Sequence, residues 1–330
     1  MNLRPAVSRY RTVLAAALSL LLFVAAVALL RRELAEIHMA DVLEALGRVP
    51  PAGLLLSVVA MAGSYLALSG YDLLALRYLG HAVSYRRAAL IALLANAVGH
   101  NVGIATLSGG AVRLRLYTAL GLTAGDVGAL IALTGVTFGS GLAMVAGLSL
   151  LLQAPAASAL LHVPVEVARA LGLAAIAGVA GYFALSLSGW RLPLGRLQLR
   201  IPGPRYVLAQ LLLAVVDLGC AAATLFCVLP PDAPVSFSTF VAAYVLAVIA
   251  GIVSHVPGGL GVFETVLLFA LPDAPREHLL AAILAYRAIY FLLPLAVASM
   301  SAAFVYSRDN RGRAPRDALR RASGSADRPG

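Results

Sequence analysis

The chain contains no lysine. Its 330 residues carry 25 basic side chains, and all of them are arginine. Charge of either sign is scarce, at 12% of residues, against about 25% in an average soluble domain. There are two cysteines, Cys220 and Cys227, in one apolar segment. On a helix that spacing separates them by about 10 Å, beyond the reach of a disulfide, so both read as small core residues. No CxxC, HExxH or Cys/His cluster is present, so neither a metal nor another cofactor is expected. No P-loop or Rossmann fingerprint is present, so ATP-driven transport by this chain alone is not expected. Ser108 beside a Gly-Gly has no G-x-S-x-G elbow or Ser-x-x-Lys around it, so no nucleophile–base–acid set is readable and no catalytic residue is assigned.

What is there is apolar: 61% of residues are hydrophobic. This composition specifies a polytopic α-helical membrane protein. The net charge of +10 is concentrated in loops and tails, which fits positive-inside orientation better than nucleic-acid binding. The all-Arg, Ala-rich usage suggests a GC-rich bacterial genome and hence a bacterial inner membrane.

The runs follow in order. Arg4, Arg9 and Arg11 precede an apolar run at 12–30. A signal peptide is the rival reading, because Ala26-Val-Ala28 resembles a cleavage site, but the run is long for one and further membrane segments follow. Residues 31–49 read as an amphipathic surface helix closed by Pro50-Pro51. Full spans are expected at 12–30, 52–76, 126–152, 165–187, 206–229 and 278–306. The loops holding Arg77, Arg86 and Arg87, and Arg191, Arg196, Arg200 and Arg205, are expected in the cytoplasm. The loop at 153–164 has no Arg and is expected outside. Residues 1–306 thus form the membrane domain, and the Arg-, Gly- and Ser-rich segment 307–330 is expected to be a disordered cytoplasmic tail.

Two apolar stretches carry breaks. One is Ser108-Gly-Gly-Ala-Val-Arg113; the other is His255-Val-Pro-Gly-Gly-Leu-Gly-Val-Phe-Glu264. Glycines and proline interrupt a helix, and broken backbone at membrane depth needs protein or a water-filled cavity around it. Crossing parity then makes 88–122 and 237–271 two re-entrant helical hairpins of opposite orientation, with both termini cytoplasmic, a recurrent transporter plan. The rival is two loops outside the bilayer.

Each break is expected to open a half-helix whose N-terminus attracts an anion. Arg113 would sit near the start of one, shaped to grip a phosphate with paired hydrogen bonds. Glu264 and Arg287 each lie inside apolar runs, where a lone charge costs about 2.5–3.5 kcal/mol on insertion scales, so they are expected to pair or to meet a ligand phosphate. Asp217 is equally isolated. With Gly109, Gly110, Gly258 and Gly259 these form the candidate substrate-binding set. A purely structural ion pair is the alternative for Glu264 and Arg287. His100 and His255 beside the breaks rank lower.

Together, Ser108-Gly-Gly-Ala-Val-Arg113, Val256-Pro-Gly-Gly-Leu-Gly-Val-Phe-Glu264, Tyr286-Arg287 and Pro294 resemble the lysylphosphatidylglycerol synthase transmembrane region, a flippase-like family. The resemblance covers about residues 10–306. It implies a membrane region that moves a lipid between leaflets, with aminoacyl transfer performed by a separate soluble domain. This chain ends after a short Arg-rich tail, so synthase activity is not implied. The expected partners are a phospholipid or lipid-linked substrate, the membrane, and a second copy or a partner enzyme, but no nucleic acid. Two other classes stay open. An intramembrane transferase would use Glu264 as base and would show a histidine or metal cluster converging there. A non-catalytic partner of a lipid- or glycan-modifying enzyme would show a closed, dry helix pack.

Overall fold

The computed structural model describes residues 44–101, 105–161, 163–189, 191–194, 197–230 and 235–301. The expected span at 12–30, most of the amphipathic helix at 31–49 and the tail at 307–330 lie outside them. The described chain is helical. In order come α1 (Pro51–Tyr78), α2 (Tyr85–Asn101), α3 (Ala105–Thr118), α4 (Ala124–Leu152), α5 (Ala154–Leu161), α6 (Val165–Ser188) and α7 (Pro204–Phe226). Then follow α8 (Phe237–Ser254), a 3-10 turn at Pro257–Gly259, α9 (Val262–Ala270) and α10 (Arg276–Ser301). Within α10, Arg287–Leu292 is π-helical.

Local signals set many of these ends. Pro51 and Pro204 occupy first-turn positions, where their missing N–H has no helical partner in any case. Thr123 and Asp126 form a reciprocal capping box at the start of α4. Ser236 accepts the Thr239 N–H to open α8. Between α6 and α7 the Arg-rich loop holds an antiparallel pair, β1 (Arg191–Leu194) and β2 (Leu197–Arg200), with Arg191 opposite Arg200. Alternating leucines give this segment a period of two that positive-inside counting ignores. The Arg-free loop at 153–164 likewise contains α5, because Ala-Pro-Ala-Ala-Ser-Ala-Leu-Leu is rich in strong helix formers.

Six helices among the described residues are long and apolar enough to cross a membrane. Five of them, α1, α4, α6, α7 and α10, match expected spans. The sixth is α8, expected as one arm of a re-entrant hairpin. Its 18 residues rise about 27 Å, whereas α9, with nine residues, reaches about half that. The α2 and α3 helices, 17 and 14 residues, rise about 26 and 21 Å. They pack antiparallel, with Ala95 on Gly109 and Asn96 on Arg113.

Helices of this kind gain no hydrophobic drive from lipid, so close packing and internal polar contacts hold them together. The main core lies where α1, α7, α8, α9 and α10 converge, around Phe240, Leu225, Leu267 and Leu279. A second core joins the end of α1 to α2, α3 and the start of α4, around Leu76, Tyr117 and Leu130. The α4–α7 crossing is backbone-close: a Cβ on Gly141 would overlap that of Ala214. Gly141→Val is therefore expected to cost about 1–3 kcal/mol or more through overpacking, read as a lowered midpoint of thermal unfolding in detergent. Gly139, one turn-half away with open space around it, supplies the control; Gly139→Ala should leave the midpoint unchanged or raise it.

Candidate functional site

The chain turns sharply between α8 and α9. His255 closes α8 in the left-handed region (φ 55°), and Gly258, Gly259 and Gly261 all have positive φ, conformations that glycine alone adopts at no steric cost. This turn presents two backbone groups inward. The Gly258 carbonyl accepts from Arg287 Nη1 at 2.7 Å. The Gly261 N–H donates to Glu264 Oε2 at 2.8 Å, which caps α9.

The other carboxylate oxygen, Glu264 Oε1, accepts from Arg287 Nε at 3.0 Å and Nη2 at 2.5 Å. All three nitrogens of the guanidinium are thus engaged. Phe291 lies 4.8 Å and Phe263 5.7 Å from it, ring centroid to guanidinium carbon, a cation–π setting. The side chains are largely buried, Arg287 at 16% and Glu264 at 11% exposure. The expected pairing of these two charges is therefore present.

Arg287 is also the first residue of the π-helical segment. Segments of this type expose backbone carbonyls that lose their regular partners. Here two side chains supply donors. Tyr65 donates to the Tyr290 carbonyl at 3.3 Å and Asn101 to that of Phe291 at 3.1 Å. Asn101 ends α2, and the neighbouring His100 carbonyl abuts Gly258, whose added Cβ would stand 3.4 Å from it. The end of α2 and the α8–α9 turn therefore meet. The His100 ring stacks on Tyr290 with centroids 5.8 Å apart.

Arg113 sits elsewhere. It lies well inside α3 rather than at its start, and Ser108, Gly109 and Gly110 are helical. The expected break at Ser108-Gly-Gly is corrected accordingly. Gly109 serves close approach: a Cβ there would lie 2.7 Å from the Ala95 carbonyl oxygen of α2. Gly110 packs near Ile131. Arg113 grips Asp72 of α1 with Nε at 3.0 and 3.2 Å and Nη2 at 2.9 Å. Tyr117 donates to the same carboxylate at 2.9 Å, and Arg113 reaches Asn96 of α2 at 3.4 Å. Asp72 is fully buried. This cluster ties α1, α2 and α3 together and does not touch the Glu264–Arg287 pair.

Asp217 forms a third cluster, with no arginine in it among the described residues. Ser64 donates to Oδ1 at 2.5 Å and Tyr71 to Oδ2 at 2.9 Å. Ser64 is also bonded to the Tyr290 hydroxyl at 2.8 Å. Gly259 packs on Gly251 and Phe263, and His255 is exposed, bonding its own segment at Val253. Among the described residues no group of three or more His, Cys, Asp and Glu is placed to hold a metal ion. The sequence reasoning missed Asp72, although it carried the same signal as Asp217, a lone carboxylate inside an apolar run. Ser64, Tyr71, Tyr117 and Tyr290 carry no signal, since hydroxyls are common in membrane helices.

Comparison with known proteins adds to this geometry. The profile of a family described as the lysylphosphatidylglycerol synthase TM region matches residues 13–298. An uncharacterized protein of Synechocystis is 34% identical over 87% of this chain and 89% of its own length. The inner membrane protein YbhN of Escherichia coli K12 is 27% identical over 91% of this chain and 95% of its own. A phosphatidylglycerol lysyltransferase of Staphylococcus aureus is 29% identical over 86% of this chain, an alignment that takes in 33% of that enzyme.

Proposed function

We propose a function from one plain fact and one geometry: the chain belongs to the lysylphosphatidylglycerol synthase TM region family, and its buried Arg287–Glu264 pair sits at a broken helix where a phosphate can replace the carboxylate. The protein binds a lipid or lipid-linked anionic headgroup and translocates it between the leaflets of a bacterial inner membrane. The relative named as an inner membrane protein supports the location, and the relative named for phosphatidylglycerol supports a phospholipid as the substrate class. The family match is to a transmembrane region, and the role assigned to this chain is transport rather than catalysis.

The carrying observation is how Arg287 is held. A phosphodiester presents two oxygens with the same reach as a carboxylate, so it satisfies the Nε and Nη2 donors that Glu264 now occupies. Displacing Glu264 also frees the Gly261 N–H at the start of α9, a helix N-terminus suited to an anion. Glu264 thus acts as a resident anion that keeps Arg287 neutralised between substrates. In this scheme α2–α3 and α8–α9 are re-entrant hairpins of opposite orientation meeting near the bilayer midplane, and both chain termini are cytoplasmic. The contact between His100 and Gly258 supports that arrangement. Gly258, Gly259, Glu264 and Arg287 line the headgroup site, while Arg113, Gly109 and Gly110 shape the facing hairpin.

The test uses the purified protein in vesicles doped with fluorescent phosphatidylglycerol, following quenching of the outer leaflet. The wild type is expected to expose inner-leaflet lipid faster than protein-free vesicles. Loss of a charge-assisted hydrogen-bond pair in Arg287→Gln should slow exchange by about 10-fold or more. A wild-type rate equal to that of empty vesicles, or an unaffected and folded Arg287→Gln, would overturn the assignment.

A further inference from the structure

Asp217 stands apart from the other two membrane carboxylates. Asp72 and Glu264 are each neutralised by an arginine. Asp217 is 3% exposed and receives only hydroxyl hydrogens, from Ser64 and Tyr71. The titratable groups around it are themselves uncharged. From α1 come Tyr65 and Tyr71, from α8 Tyr244, from the π-helical segment Tyr290, and from its own helix Cys220. The ionisable residues of α4 and α6 lie elsewhere: Asp126 bonds Thr123, Tyr182 bonds Gln210, and Glu166 and Arg169 are exposed. The guanidinium of Arg287 is taken up by Glu264 and Gly258. A buried carboxyl with no cation has a low-energy form only when it holds its own proton.

The hydrogen bonds around it have a direction. With Asp217 as a carboxylate, Ser64 spends its one hydroxyl hydrogen on Oδ1 and Tyr290 is the donor to Ser64; with the proton on Asp217 Oδ1 both bonds reverse. The result is a chain running Tyr290 to Ser64 to Asp217. A proton reaching the Tyr290 oxygen is matched by one passed from Tyr290 to Ser64 and one from Ser64 to Asp217, converting carboxylate to carboxylic acid with both hydroxyls restored. The reverse sequence returns the proton to water. Tyr290 is only 6% exposed, so the chain is closed in this conformation and needs a movement to open it.

The same segment supplies that movement. Tyr290 lies within the π-helical stretch Arg287–Leu292, whose first residue holds Glu264. Exchange of Glu264 for a phosphate on Arg287 would act at the first residue of this stretch, three residues before Tyr290. A π segment relaxing toward α geometry re-aims its side chains. We propose that Asp217 is the proton-carrying site of this protein, and that the Arg287–Leu292 segment couples its loading and release to the headgroup at Arg287. The coupling rests on the lipid-translocating function proposed above; the proton site itself does not.

Two measurements separate them. Infrared difference spectra of the wild type in lipid are recorded from about pH 5 to about pH 9. A carboxylic-acid C=O band that titrates in that range and disappears in Asp217→Asn is the expected result. A wild-type minus Asp217→Asn spectrum with no titrating carboxyl band overturns the proton site. The second measurement is fluorescent-lipid exchange in vesicles under an imposed pH gradient. The wild-type rate should change by about 5-fold or more when the gradient is reversed. Asp217→Asn, whose one amide oxygen still accepts from Ser64 or Tyr71 while its NH2 donates to the other hydroxyl oxygen, should lose this response. An unchanged response in Asp217→Asn overturns the coupling. Tyr290→Phe cuts the chain and keeps the carboxyl. It is expected to retain the titrating band and lose the gradient response, and retention of that response also overturns the coupling. A wild type that moves no lipid defeats the translocating function, and the infrared band then decides the proton site alone.

Discussion

Glu264→Leu is expected to destabilise the protein by about 3–5 kcal/mol, whereas Glu264→Leu/Arg287→Met should recover most of that loss. The single change leaves the Arg287 guanidinium among Phe263, Phe291 and the Gly258 carbonyl with no counter-charge. An uncompensated buried charge is the expensive state, while replacing both partners by apolar side chains of similar volume is often neutral or better. The double variant will not recover fully, because the Gly261 N–H still loses its cap at Glu264 Oε2, worth about 1 kcal/mol. Thermal unfolding of the four-member cycle in detergent gives the coupling energy directly. Activity separates the two roles of the pair. A structural pair predicts lipid exchange restored in the double variant. A headgroup site predicts a folded, inactive double variant.

The second large effect is expected at Asp72. Asp72→Leu strands two donors at once, Arg113 and Tyr117, and should again cost about 3–5 kcal/mol. Tyr117→Phe removes one hydrogen bond to the same carboxylate and should cost about 1.5–3 kcal/mol. The location of the damage distinguishes this cluster from the first. Arg113 and Tyr117 are on α3 and Asp72 is on α1, so the substitution breaks the buried polar link between the α2–α3 pair and α1 and leaves their shared apolar core. Thiol labelling of single cysteines on α3 should quicken in Asp72→Leu before the global unfolding midpoint is reached. Uniform protection up to that midpoint would show that the ion pair does not hold the α2–α3 unit in place.

The helical membrane fold was legible because long apolar runs in a charge-poor chain have few other solutions. The break before Glu264 was legible because several glycines and a proline within a few residues cannot all sit in a helix. Ser108-Gly-Gly was misread for a physical reason. Two adjacent glycines weaken a helix but do not end it, and here Gly109 is needed for contact with the Ala95 backbone. Sequence does not distinguish a glycine that bends a chain from one that admits a neighbour. The pairing of Glu264 with Arg287 was readable because both are isolated charges in adjacent segments. Arg113 has Asp126 closer in sequence, but that carboxylate caps its own helix at Thr123, and the true partner Asp72 lies 41 residues back on α1, with α2 between them. The hydroxyl partners of Asp217 were beyond reach, since nothing in an apolar sequence says which of its twelve tyrosines will point inward. The two-stranded element and α5 were hidden because charge counting assigns a side of the membrane without assigning a conformation.

The order of synthesis gives the three clusters a further meaning. Asp72 and Arg113 are 41 residues apart in sequence, and Glu264 and Arg287 are 23 apart. Each charge therefore meets its partner within a short stretch of emerging chain. Ser64 must wait for Asp217, 153 residues later, and for Tyr290, 226 residues later. The charged contacts lie close in sequence, and the groups left to find distant partners are hydroxyls, the Asn101 amide and a carboxyl with no arginine beside it. A chain made from its N-terminus onward is thereby spared long intervals with a bare arginine in lipid, and the bonds completed last are those that join the beginning of the protein to its end.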